Sequence, residues 1–143
     1  MSKPRVILPD TNTVLRYLLL DVKEQSERAT AFFETVRDGH QPALLLESVL
    51  VECVYVLTKH YRVPQTAAAS SLRGLLDYRG FVNDDREELI TALEHYGTTR
   101  LDIVDCLLLA KASKEGKDIF SFDTELLAKS ARRGTTSKPN SRA

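Results

Sequence analysis

Five acidic residues stand where solubility alone would not ask for them. Asp10 ends the short apolar run "RVILP", Asp123 follows "KDIFSF", and each directly precedes a helical pattern. Glu52 is the only charged residue in the nine-residue stretch "VLVECVYVL" at 49–57. Asp102 and Asp105 are three residues apart, which puts them on one helical face near its first turn, and the apolar "CLLLA" follows at once. If Asp10, Glu52, Asp105 and Asp123 project to one edge of the domain, their mutual repulsion raises their pKa values and a bound divalent cation relieves it. Oxygen donors without a His or Cys cluster suit Mg2+ or Mn2+ rather than Zn2+; His40, His60 and His95 are scattered, with surface or core roles. A carboxylate-held cation that retains waters is the usual machinery of phosphate-ester chemistry, because it lowers the pKa of a bound water and offsets charge on phosphoryl oxygens.

Each acid also has a plainer duty. Asp is a preferred N-cap that accepts a backbone N–H and complements the helix dipole, which would account for Asp10 and Asp123 separately. Asp102 can cap its helix while Asp105 merely favours the dipole. Glu52 falls one place too late to form a capping box with Ser48. Burying it alone is costly, so its plain reading is an exposed stripe or a pair with Arg16 or Arg100. Those two arginines are also candidates for phosphate contact, with surface solvation the plainer role.

The elements that must position these acids alternate. "RVIL" (5–8) reads as a buried strand and "TNTVLRYLLL" (11–20) as a helix. "KEQSERATAFFETVRDG" (23–39) is a second helix, with Ala29, Phe32, Phe33 and Val36 on one face and Gly39 as its stop. "ALLLE" (43–47) is a strand, Ser48 caps a helix through "VLVECVYVLTKHY", and Pro64 opens another. "GFVN" (80–83) is a strand, 84–97 and 101–116 are helices, "KDIFSF" (117–122) is a strand, and a last helix follows. Strands alternating with helices imply crossover connections and a mainly parallel sheet covered on both faces. The expected fold is therefore a three-layer α/β/α sandwich, in which ligands bind outside the carboxyl ends of the strands. One domain over 1–130 is expected, with a basic, flexible tail over 131–143.

Composition agrees with a single core. The 143 residues are 43% hydrophobic and 28% charged, enough to bury one core without disulfides or structural metal. No apolar run approaches the roughly 18 residues of a membrane span, and the N-terminus lacks the apolar core and cleavage site of a signal peptide, so the cytoplasm is the expected location. Cys53 and Cys106 are too few for a disulfide framework and read as reduced, buried thiols. Net charge is zero, yet no acidic residue follows Glu125 while Lys129, Arg132, Arg133, Lys138 and Arg142 do. A basic end of this kind can touch phosphates or an acidic partner, or simply remain solvated.

Taken in order, "DTNTVLRYLLL" from Asp10, "SVLVECVYVLTKHY" around Glu52, "LDIVDCLLLAKASKEG" around Asp105 and "IFSFDTEL" around Asp123 resemble the PIN-domain nucleases, most closely the VapC-type toxins of toxin–antitoxin modules. The resemblance covers about residues 5 to 128. It implies a Mg2+- or Mn2+-dependent endoribonuclease with Asp10, Glu52, Asp105 and Asp123 as its four acids and Asp102 as an additional one. Asn12 and Ser121 match positions where small polar residues support the acids. It also implies an RNA substrate, a cognate antitoxin whose C-terminal segment wraps over the site, and a homodimer. The end departs from the pattern: such toxins commonly finish with one more strand, and "RRGTTSKPNSRA" offers no apolar run.

Other classes fit less well. A haloacid-dehalogenase-like phosphotransferase needs a second Asp where this chain has Asn12, and a receiver domain needs an acidic pair at the first strand. The remaining alternative is a catalytically weak PIN-like module that binds protein.

Overall fold

A computed structural model describes residues 4–132. Asp10 caps the first helix, α1 (Thr11–Leu19), which stops at Leu20 in the left-handed conformation with its N–H returned to Arg16 O. Helix α2 (Lys23–Arg37) turns Ala29, Phe33 and Val36 into the core, as the spacing predicts, and leaves Phe32 half-buried. Helix α3 (Glu47–Tyr55) widens into one π-helical turn at Val56–His60. Helices α4 (Gln65–Leu76), α5 (Arg86–Thr98), α6 (Ile103–Glu115) and α7 (Thr124–Arg132) complete the order. Gly116 ends α6 at φ 65°, the conformation that glycine adopts without steric cost.

The core forms where these helices meet. Helix α5 packs between α4 and α6, and α1 packs against α2 and α3. Phe33, Leu45, Leu50, Leu72, Leu76, Leu89, Leu93 and Ile103 are fully buried there. Both cysteines are buried as thiols, as expected. No described helix is long and apolar enough to cross a membrane.

The sheet differs most from expectation. Three extended segments lie parallel in the order 81–43–7, but each pair shares a single bridge, Ile7 with Ala43 and Ala43 with Phe81, and no longer strand forms among the described residues. Ala43 N donates to Gly80 O at 2.8 Å and Val82 N to Ala43 O at 2.8 Å; Ile7 N donates to Pro42 O at 3.1 Å and Leu44 N to Ile7 O at 3.0 Å. Beyond these bonds, side-chain amides take over from the ladder. Asn83 donates to Leu45 O at 2.7 Å and accepts from Leu45 N at 3.0 Å, while Gln41 donates to Arg5 O at 2.7 Å. Pro4, Pro9 and Pro42 contribute no N–H, which shortens what backbone pairing can do here. The close approach needs Gly80: a Cβ there would stand 2.3 Å from Gln41 O and 2.7 Å from Val36 O.

Three further expectations are corrected. The 5–8 segment is not buried: Val6, Ile7 and Leu8 are exposed, and among the described residues its one bridge is Ile7 with Ala43. The 117–122 segment forms no strand and joins no bridge among the described residues; only Ile119 is buried, while Phe120 and Phe122, 75% and 91% exposed, meet edge to face at 5.5 Å. Its apolar residues suit a strand, but strand propensity does not supply a partner in register. Ser48 is not the cap of α3, which begins one residue earlier with Leu46 at the cap position and no side-chain cap bond. Of the basic tail expected over 131–143, the part beyond Arg132, where a last strand would fall, lies outside the described residues.

Candidate functional site

Helix starts position the acids. Asp10 Oδ1 accepts from Thr13 N at 2.9 Å and Thr13 Oγ1 at 2.8 Å, and these bonds hold its carboxyl below the ordinary value of 3.8. Asp123 Oδ1 accepts from Glu125 N at 2.9 Å and Leu126 N at 3.2 Å at the start of α7, and Ser121 Oγ accepts from Asp123 N at 2.9 Å. Asp102 Oδ1 accepts from Ile103 N at 2.8 Å at the start of α6. The plainer capping duties therefore exist for all three. They leave the second oxygen of each carboxylate outside the cap.

Two hydroxyls connect these acids across the fold. Thr11 Oγ1 donates to Glu52, tying the first residue of α1 to α3. Tyr55, one helical turn beyond Glu52, donates its hydroxyl to Asp102 Oδ2 at 2.8 Å, tying α3 to α6. That bond, ahead of burial and the Asp102 charge, pushes the Tyr55 hydroxyl up to about 12, so it stays a donor. The signals were Thr11 beside Asp10 and the three-residue step from Glu52 to Tyr55.

Glu52 is exposed, so the burial cost expected of it does not arise, and its partner is Thr11 rather than Arg16 or Arg100. Arg16 is 8% exposed, against its expected solvation, and Arg100 is exposed. Asn12 Nδ2 donates to Gln25 Oε1 at 3.4 Å, toward α2. His40 and His60 lie at the surface and His95 in the interior.

Charge links the acids in two groups. The half-buried Asp105 carboxyl is raised above 3.8 by burial first, then by the negative charges of Asp123 and Asp102. The Cys53 thiol, pushed up to about 12 chiefly by burial, also feels Glu52 and Asp10. Thr11 holds α1 to Glu52, and Tyr55 spans from the Glu52 helix to Asp102. An all-carboxylate donor set, with one member destabilised by two like charges, fits a hard divalent cation in chemistry. Among the described residues, no three His, Cys, Asp or Glu side chains stand close enough to hold an ion as they lie.

No curated protein and no solved structure matches the chain. A family model described as PIN domain matches residues 7–132, which takes in all five acids and every helix. The chain belongs to the PIN-domain family, whose members are generally nucleases and typically use divalent metal ions.

Proposed function

We propose that the protein is a Mg2+- or Mn2+-dependent endoribonuclease acting as the toxin of a toxin–antitoxin module. The observation that carries the reading is the family match over residues 7–132, which takes in all five acids, and the raised Asp105 carboxyl beside the charges of Asp123 and Asp102 supports it. Asp10, Glu52, Asp105 and Asp123 would hold the cation, with Asp102 as an additional acid. When bound, the cation would supply an activated water and offset charge on the phosphodiester. The chain's own residues have separate duties. Thr13 keeps Asp10 ionised, Thr11 fixes the rotamer of Glu52, Tyr55 orients Asp102, and Ser121 fixes the backbone that carries Asp123. Asn12 lies beside this set.

The finer parts of the reading follow from the resemblance of the motifs. An antitoxin segment would cover the acids, the protein would pair as a homodimer in the cytoplasm, and the three bridged segments would be the centre of a three-layer sandwich. One observation favours a second reading, a PIN module that binds protein without cutting: the acids do not converge in threes. Incubation of the purified protein with structured RNA separates the two. The nuclease reading expects cleavage in Mg2+ or Mn2+ that EDTA abolishes and added cation restores. Intact RNA in both cations, or cleavage indifferent to EDTA, contradicts it.

A further inference from the structure

The acids do not use the cleft that opens beside them between α1 and α2. This cleft of about 370 Å3 is lined by Asn12, Thr13, Arg16, Gln25, Arg28 and Phe32, and its volume lies within the range of small-molecule sites. A second, more open cleft at Leu8, Pro9 and Asp10 shares Thr13 and Phe32 with it. The two clefts therefore adjoin at Thr13 and Phe32, with Asp10 bordering the second.

The first cleft is lined by two arginines and two amides. Arg16 is fixed in the wall: its guanidinium pairs with Asp21 at 3.1 Å and donates to Tyr61 Oη at 3.2 Å, and Ser26 Oγ donates to its carbonyl at 2.8 Å. Its Nε is buried with no hydrogen-bond partner. Asp21 offsets the charge of Arg16, so the exposed Arg28 supplies the net positive charge of the cleft. The Asn12–Gln25 bond, at 3.4 Å, is longer than an ordinary hydrogen bond and is readily exchanged for a ligand.

We propose that this cleft is a nucleotide subsite for single-stranded RNA flanking the bond presented to the acids. Arg28 takes a backbone phosphate, Phe32 offers an aromatic surface to a base, and the amides of Asn12 and Gln25 meet its edge. Amides carry both donors and acceptors, which suits a base edge; the carboxylates of an acidic peptide would bring acceptors alone. The subsite rests on the nuclease reading for its substrate but not for its geometry.

The test is binding of a short fluorescein-labelled single-stranded RNA of randomised sequence to the full chain, with Ca2+ in place of Mg2+, over a range of salt. Arg28→Ala should raise Kd about tenfold and flatten the slope of log Kd against log salt by about 0.7, the value of one phosphate contact on a single strand. Arg28→Lys, which keeps the charge, should retain the slope. Unchanged Kd and slope in Arg28→Ala overturn the proposal, as does an equal loss in Lys59→Ala, which would indicate unspecific attraction. Arg28-dependent binding of poly-glutamate without RNA binding also overturns it, in favour of an acidic protein segment. Wild-type cleavage in Mg2+ separates the two readings. Cleavage without an Arg28 effect on binding refutes the subsite alone; an Arg28 effect without cleavage refutes the nuclease alone.

Discussion

Asp105→Asn should melt at a higher temperature than the wild type in EDTA at neutral pH, and it should not cut RNA. Two effects oppose each other at this position. The N-terminal dipole of α6 favours a negative charge in its first turn, by about 0.3–1 kcal/mol. Burial and the charges of Asp123 and Asp102 disfavour it, and they prevail, since the carboxyl is raised above 3.8. A raised folded pKa means that the ionised folded state carries a penalty the unfolded chain does not. That penalty is full above the raised folded value, shrinks as pH falls through it, and is gone below 3.8. Asn removes the charge and hence the penalty. Because Asp105 is only half-buried, solvent screens the effect to below about 1 kcal/mol, or on the order of 2–4 °C. Thermal melts at neutral and acid pH check this: the gain over wild type should be present at the first and absent at the second. A gain in stability with a loss of activity is the usual mark of a group kept for function.

Asp10→Asn should separate activity from folding differently. The asparagine oxygen can accept the same bonds from Thr13 N and Oγ1, and Asn caps helices as well as Asp does. Stability should therefore fall by about 1 kcal/mol or less. That small loss reflects the depressed carboxyl of Asp10, whose contribution is present above 3.8 and disappears as pH falls through its lowered folded value. Cleavage should fall at least about 100-fold, the scale seen when even an outer partner of a metal ligand is removed. Urea melts and RNA cleavage on the same preparation check both halves. Wild-type cleavage by Asp10→Asn would remove Asp10 from the site.

The contrast between these acids shows what a sequence reveals and what it withholds. The helix starts at Asp10, Asp102 and Asp123 were legible because capping is a local rule, written within three residues. The buried face of α2 and the Gly116 stop were legible through periodicity and the conformational freedom of glycine. The extended segments were recognisable, but the extent of their pairing was not. Proline at 4, 9 and 42 and the amides of Gln41 and Asn83 cut the ladder to single bridges, a matter of tertiary register. The contacts of Thr11 and Tyr55 were not legible because their partners lie 41 and 47 residues away. Arg16 read as surface because a long charged side chain usually is; its burial depends on Asp21 and Tyr61 meeting it.

The central claim is that acids from α1, α3, α6 and α7 form one divalent-cation site, and a melting curve with and without Mn2+ tests it most directly. A ligand at about 100 times its Kd stabilises the folded state by about 2.7 kcal/mol, on the order of 5–10 °C for a chain of this size. The wild type should show that rise, and EDTA should reverse it. Asp105→Asn, although more stable without metal, should gain little. An equal rise in both proteins, or none in the wild type, would contradict the account.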